Sequence, residues 1–372
     1  MKILIFNWQD INNPLAGGAE VHLHEVFSRI AKMGHQVTLY CSRYEGAAPE
    51  ENMNGIHVIR EGGRYLFNYR VIFKYLTRFR HEKYDLVIDD MNKIPFFTPL
   101  YVHEPLYIIT HHLFNKSIFL EVSWSLAMYV YLMEKAGFNL CKSSRIPFIV
   151  GSPSTKQELL ERGFPPEQVE IINYCVDHVV HRSDPSKRSV SPLIGYFGRL
   201  KKYKSADQLL RAFARLSADL PELNLIVVGE GDHRKALEQL AAELKIDKKV
   251  QFTGFVDEQT KVGYLQEVWF AVNTSSKEGW GLTVIEANAC GTTVIASDVP
   301  GLRDAVKDGE TGLLYEFGNV DDLTGKIRLL IDEAGLRQKL ADNAYRWAIT
   351  FDWDKAASRT LELLNQRIQK QN

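Results

Sequence analysis

The sequence predicts an α/β protein of two parallel-sheet domains. Its 372 residues fit two domains at roughly 100–200 residues each. Short apolar, β-rich runs alternate with amphipathic helical stretches along almost the whole chain. The alternation starts afresh near residue 193, after the polar stretch His181-Arg182-Ser183-Asp184-Pro185-Ser186-Lys187-Arg188-Ser189, which has no apolar face to bury. That stretch reads as a linker between an N-terminal domain over 1–180 and a C-terminal domain over 190–350.

In the first series, Ile3–Phe6, Gln36–Tyr40, Ile56–Arg60, Leu86–Asp89, Leu106–Thr110, Ile146–Val150 and Glu170–Asn173 read as strands. Several are nearly continuous in Val, Ile, Leu and Phe, as expected where both faces of a parallel strand are buried. A helix with Leu23, Val26, Phe27 and Ile30 on one stripe, stopped by Gly34, joins the first two. The second series has Leu193–Phe197, Leu225–Val228, Val250–Phe252, Val268–Asn273 and Val294–Ala296 as strands, with helices between.

Composition narrows the function. Lys and Arg number 45 against 46 Asp and Glu, a balance that argues against a nucleic-acid binder. The four cysteines, Cys41, Cys141, Cys175 and Cys290, lie far apart and suggest neither a zinc site nor a disulfide framework, so a reducing cytosol is expected. The opening Met1-Lys2-Ile3-Leu4-Ile5-Phe6 is too short an apolar run for a signal peptide. Val122 to Met133 is the most membrane-like stretch, and it falls short of the ~18 residues a span needs.

The chemistry concentrates in the second half. Gly198-Arg199 follows a strand, and Lys204 stands at the opening of the next helix. Two cations there make an anion site, unless they belong with Lys201 and Lys202 to a solvated basic turn. Further on, Glu278-Gly279-Trp280-Gly281-Leu282-Thr283 leads from a strand end into a helix. The amides of Leu282 and Thr283 are then unpaired and suited to a phosphate. Glu286, one turn later, can accept two hydrogen bonds from a ribose diol, and Glu278 can take sugar hydroxyls on the other side. The plainer reading is two surface glutamates beside an ordinary loop.

Glu278 and Glu286, with seven residues between them in Glu-Gly-Trp-Gly-Leu-Thr-Val-Ile-Glu, resemble the E-x7-E signature of the GT4-type retaining glycosyltransferases of the glycogen-synthase-like group. Gly198-Arg199 with Lys204, Val228-Gly229-Glu230-Gly231, Gly254-Phe255-Val256 and Gly309-Glu310-Thr311-Gly312-Leu313-Leu314 resemble that family in the same order. The resemblance implies a GT-B fold, two Rossmann-like doubly wound domains facing across a cleft. It makes Arg199 and Lys204 the diphosphate-binding pair, Glu286 the ribose ligand, and the backbone at Phe255 and Val256 the holder of the base. It implies that Gly17-Gly18, opening the first helix, belongs to a glycine-rich loop near the transferred sugar and phosphates. That loop is not the G-x-G-x-x-G fingerprint a dehydrogenase would show.

Of His111 and His112, at the end of a strand, His112 matches the family's sugar-contacting histidine by spacing. His111 is the alternative, since successive strand residues face opposite ways. Asp10, Asn12 and Asn13 are candidates for the acceptor. The family's P-N-G-V-D is here Asn173-Tyr174-Cys175-Val176-Asp177, which puts Cys175 where a glycine is usual. The end of the chain, with Trp353 and a helix over 354–372, resembles the terminal helix that crosses back onto the first domain.

The reaction so implied moves a sugar from a nucleoside diphosphate to an acceptor hydroxyl with retained configuration, in cell-envelope polysaccharide or glycolipid synthesis. No cofactor or metal is expected, because cations and helix amides take the metal's role. A sugar-nucleotide epimerase of the same fold and a non-catalytic sugar-nucleotide-binding protein are the alternatives. Residues 60–83 hold seven Lys or Arg against two Glu, with Tyr65, Phe67, Tyr69, Phe73, Tyr75 and Phe79 interleaved. This composition suits an anionic membrane surface, or else a plain amphipathic helix. Trp124, Met128, Tyr129 and Tyr131 form a second candidate patch. A cytoplasmic protein is expected, at the inner face of the membrane if those segments touch lipid.

Overall fold

A computed structural model describes residues 1–63, 66–91, 94–120 and 122–370. Arg64 and Tyr65 of the basic aromatic segment, and the last two residues of the chain, lie outside the described residues. The chain forms two compact units, Met1–Tyr174 with Trp353–Asn372, and Cys175–Asp352.

Unit one holds an eight-stranded sheet. Its strands are β1 (Lys2–Phe6), β2 (Gln36–Cys41), β3 (Glu50–Met53), β4 (Ile56–Arg60), β5 (Leu86–Met91), β6 (Leu106–Thr110), β7 (Phe148–Val150) and β8 (Val169–Ile171). They lie in the order β3-β4-β2-β1-β5-β6-β7-β8, parallel except for β3 against β4. Ile3, Leu4, Ile5 and Phe6 are fully buried, which is why β1 reads as an unbroken apolar run. Four helices follow in the chain: α1 (Gly18–Lys32), α2 (Phe67–Thr77), α3 (Trp124–Ser143) and α4 (Pro153–Glu161). The edge strand β3 carries three exposed residues of four and so has no apolar pattern to read. β7 starts at Phe148 rather than Ile146, because Pro147 has no N–H to give the ladder.

Unit two is a six-stranded, wholly parallel sheet of β9 (Leu193–Phe197), β10 (Asn224–Val228), β11 (Val250–Gly254), β12 (Phe270–Asn273), β13 (Val294–Ser297) and β14 (Gly312–Tyr315). Their order is β11-β10-β9-β12-β13-β14. The helices are α5 (Ala206–Ser217), α6 (Arg234–Glu243), α7 (Glu258–Glu267), α8 (Leu282–Ala289), α9 (Leu302–Ala305), α10 (Val320–Asp332) and α11 (Ala334–Ala348). On α5, Ala206, Leu209, Leu210, Phe213 and Leu216 form the buried stripe that a 3.6-residue period dictates. The last helix, α12 (Trp353–Gln369), belongs to unit one. Its Asp354 takes the Arg29 Nε of α1 at 2.7 Å.

The units divide between Tyr174 and Cys175, ahead of the polar stretch read as a linker. That stretch is part of unit two. Arg188 donates to Gly291 O at 2.7 Å and Thr292 Oγ1 at 2.8 Å, and Ser189 N donates to Glu267 O at 2.9 Å. Polar residues with no apolar face can thus be held by backbone carbonyls, a partnership invisible in composition. Cys175, standing in place of a glycine, is buried and does not adopt a positive φ.

Candidate functional site

In unit two, chain order reverses at β9, whose neighbours are β10 on one side and β12 on the other. In a parallel sheet, loops leaving such a point part to opposite sides and leave a crevice at the strands' carboxyl ends. The loops after β9 and β12 are tied together there. Ser276 N donates to Tyr203 O at 2.8 Å, and Thr274 Oγ1 to Lys204 O at 2.9 Å.

These ties bring Lys204 and Glu278 into a largely buried ion pair, and Ser275 Oγ donates to the same carboxylate oxygen at 2.7 Å. Burial works against the ammonium, but the charge and hydrogen bond of Glu278 together with Tyr203 outweigh it and the Lys204 pKa is raised. Arg199 is exposed, and its guanidinium makes no ion pair among the described residues. Gly281 stands at φ +85°, where a Cβ would meet Leu302 Cδ2 at 2.8 Å, so glycine is needed to enter α8. Beyond it the amides of Leu282 and Thr283 have no acceptor among the described residues. Gly279 is half-buried. The indole of Trp280 turns into the core against Phe351, ring centroids 5.2 Å apart, so only its backbone is offered to the loop.

Glu286 is buried, and its Oε2 lies 3.0 Å from Lys261 Nζ. The same ammonium reaches Glu258 Oε1 at 2.8 Å, and Glu258 also takes His181 at 2.8 Å. Burial alone would raise Glu258, yet the His181 hydrogen bond and the Lys261 charge hold it at about 2. Lys261 escaped sequence reasoning, since nothing local marks a lysine of α7 as the partner of a glutamate on α8. His181, Glu258 and Glu286 could by themselves ligate a cation, but the ammonium of Lys261 already lies against both carboxylates. Near β10 and β11, Gly198, Gly229 and Gly254 let backbones meet: a Cβ on Gly229 would lie 2.0 Å from Gly198 O. Phe255 follows, 85% exposed, with Val256 half-buried.

In unit one the reversal lies at β1, between β2 and β5. Gly17 caps α1, its N–H held by Glu20 Oε2 at 2.7 Å, and Gly18 is the first helical residue. Burial raises the Glu20 pKa against this hydrogen bond. Asp10 does not face outward as an acceptor ligand would: it is buried, with Arg60 Nε at 2.7 Å on Oδ2 and Asn12 N at 2.9 Å on Oδ1. Asn13 is buried too, and its Oδ1 takes Leu15 N at 3.0 Å, whereas Asn12 is exposed.

The two histidines part as alternation requires. His111 is buried between Asp90 Oδ1, at 2.7 Å from Nε2, and the Tyr174 hydroxyl. Burial disfavours its charge, but Asp90 outweighs that and the pKa is raised. His112 is half-buried, its ring 4.3 Å from that of Phe114. His22, which no motif marked, lies under His111 and Tyr174 with neither ring nitrogen bonded, and burial pushes its pKa well down.

Both halves of the chain are similar to known proteins. Residues 16–180 match the family described as glycosyltransferase family 4, and residues 180–347 the family described as glycosyl transferases group 1. A D-inositol 3-phosphate glycosyltransferase of Nocardioides sp. is 31% identical over 53% of this chain and 48% of its own. The chain spans about half the length of such relatives in these matches. An uncharacterized glycosyltransferase of Methanocaldococcus jannaschii is 24% identical over 98% of this chain and 97% of its own. Among solved structures, sucrose-phosphate synthase of Thermosynechococcus elongatus superposes with a TM-score of 0.81 at 22% identity, covering 98% of each chain. Anabaena HepE in complex with UDP-glucose gives 0.78 at 20% identity, covering 98% of this chain and all of its own.

Proposed function

Because the chain belongs to the GT4-type glycosyltransferases, with their GT-B fold, we propose that it transfers a sugar from a nucleoside-diphosphate donor to an acceptor hydroxyl with retained configuration and without a metal. The observation that carries the reading is the Lys204–Glu278 pair beside the unpaired amides of α8. The binding of UDP-glucose by HepE, a protein of the same fold, supports a nucleotide-sugar donor.

The costly event is departure of the diphosphate, on which charge grows as the glycosidic bond breaks. Lys204, Arg199 and the Leu282 and Thr283 amides are already fixed or free to meet that charge. Each such preorganised donor is worth roughly 10²–10³ in rate. Lys204 stays charged at neutral pH, since its pKa is raised. Glu286, held by Lys261 on Oε2, leaves its other oxygen for a ribose hydroxyl. The backbone at Phe255 and Val256 would hold the base, and Gly198, Gly279 and Gly281 let the chain approach the phosphates. Glu278 is engaged by Lys204 and Ser275, which suits a group that orients the donor sugar rather than one that attacks it. On this reading the acceptor attacks from the donor's own face, and the leaving phosphate takes its proton. In unit one, Gly17, Gly18 and His112 would meet the sugar. The acceptor would be a sugar or lipid-linked precursor of cell-envelope polysaccharide or glycolipid.

Incubation with UDP, GDP, ADP and TDP sugars, with and without acceptor, tests this, the product anomer being read by NMR. Transfer with retention is expected, and it should persist in EDTA. Lys204→Ala and Glu286→Ala should each lower turnover at least roughly 10²-fold while the fold melts as wild type. Near-wild-type turnover in either variant, loss of activity in EDTA, or conversion of donor without acceptor would overturn the reading.

A further inference from the structure

Two helices of unit one are apolar on the side turned away from the core. On α2, Phe67, Val71 and Tyr75 are buried, yet Leu66 at its cap and Tyr69, Phe73 and Leu76 make a second stripe, 64%, 65%, 66% and 41% exposed. On α3, Ala127, Val130 and Phe138 are buried, while Trp124, Leu126, Tyr129 and Leu132 are 70%, 46%, 43% and 50% exposed. The stripes adjoin, for the Tyr69 and Tyr129 side chains lie close to each other. Single exposed apolar residues need no explanation, but a contiguous group of this extent marks an interaction surface.

The charges around it are mostly positive. From Phe67 to Lys83 there are five cations, Arg70, Lys74, Arg78, Arg80 and Lys83, and one carboxylate, Glu82. Lys74 is paired with Glu61, and Arg78 with Glu82. Arg70, Arg80 and Lys83 are exposed and make no ion pair among the described residues. α2 has no acidic residue, and the one acid of α3, Glu134, is buried, accepting from the amides of Phe114 and Asn115. Of the segment's described aromatic residues, Phe67, Tyr75 and Phe79 are ordinary core and Tyr69 and Phe73 are exposed, while Arg60 pairs internally with Asp10.

We propose that this face of α2 and α3 docks unit one on an anionic lipid bilayer. No helix among the described residues is long and apolar enough to cross a membrane, so the mode is adsorption, with the helices lying at the headgroup level. Tyr69, Tyr129 and Trp124 have the amphipathic rings that settle at that depth, and the unpaired cations meet the lipid phosphates. An excess of cations over acids favours the bilayer over a second copy of the chain, which would set like net charges against each other.

Flotation with vesicles decides this without reference to transfer, so its failure is separate from failure of the catalytic reading. The protein should float with equal phosphatidylglycerol and phosphatidylcholine at low salt, less at high salt, and stay behind with phosphatidylcholine alone. Phe73→Ser with Trp124→Ser, and Arg80→Glu with Lys83→Glu, should each cut the bound fraction about tenfold while the melting shift given by UDP is unchanged. The wild-type comparison of the two vesicle types stands whether or not a variant folds. No flotation with the anionic vesicles, or flotation of the serine variant equal to wild type, would overturn the proposal. So would a concentration-dependent dimer that the serine variant breaks, without vesicle binding.

Discussion

Asp89 and Asp90 are neighbours at the end of β5 with opposite surroundings. Asp90 meets His111, whereas Asp89 is sealed on the other face with Thr98 Oγ1 at 2.6 Å on one oxygen and no partner on the other. Burial pushes Asp89 up to about 7. The native state therefore keeps a proton that the unfolded chain has lost, so this residue takes stability away as pH rises from about 4 through 7. Asp89→Asn should melt close to wild type at pH 4 and several degrees above it at pH 8. A difference between the two proteins that does not grow with pH would count against the assignment. Such alternation was legible beforehand as a rule that one of His111 and His112 must turn inward. Which one did so depended on Asp90 and Tyr174, residues far away in the chain.

The loop from β12 to α8 shows how an element holds chemistry. Glycines on both sides of the tight passage keep Glu278 in place: Gly301, opening α9 at φ +83°, lies where a Cβ would meet Glu278 O at 2.3 Å. Gly301→Ala must move that backbone, and a strained site of this kind costs on the order of 1–3 kcal/mol. A lower melting temperature and a marked fall in turnover are expected, although Gly301 need not touch the donor. A variant active at wild-type rate would show that the position of Glu278 is not critical. The strands of both sheets, the loop and α8 could be read locally because apolar runs and glycines mark them. β3 could not, being a polar edge strand, and neither could β14, whose glycine-led run reads first as a loop motif. Lys261 was hidden for another reason: its partner stands 25 positions along the chain, on a different helix.

For the whole molecule, a donor that binds only the folded protein must raise its stability, by about 2.7 kcal/mol at a hundredfold excess over Kd. Scanning UDP, GDP, ADP and TDP sugars by melting temperature should therefore single out one base, and no shift with any of them would count against a nucleotide-sugar donor. The twofold organisation was plain from the restart of the strand–helix rhythm, but the division at Tyr174 and Cys175 was not, because the polar segment that follows is held by carbonyls of unit two. The chain leaves unit one at that point and returns only at Trp353. During synthesis, unit two emerges as one uninterrupted stretch and can complete itself first. Unit one, whose sheet is made before unit two, waits on the ribosome for α12, so a premature stop before Trp353 would injure a unit synthesised ahead of the one it leaves whole.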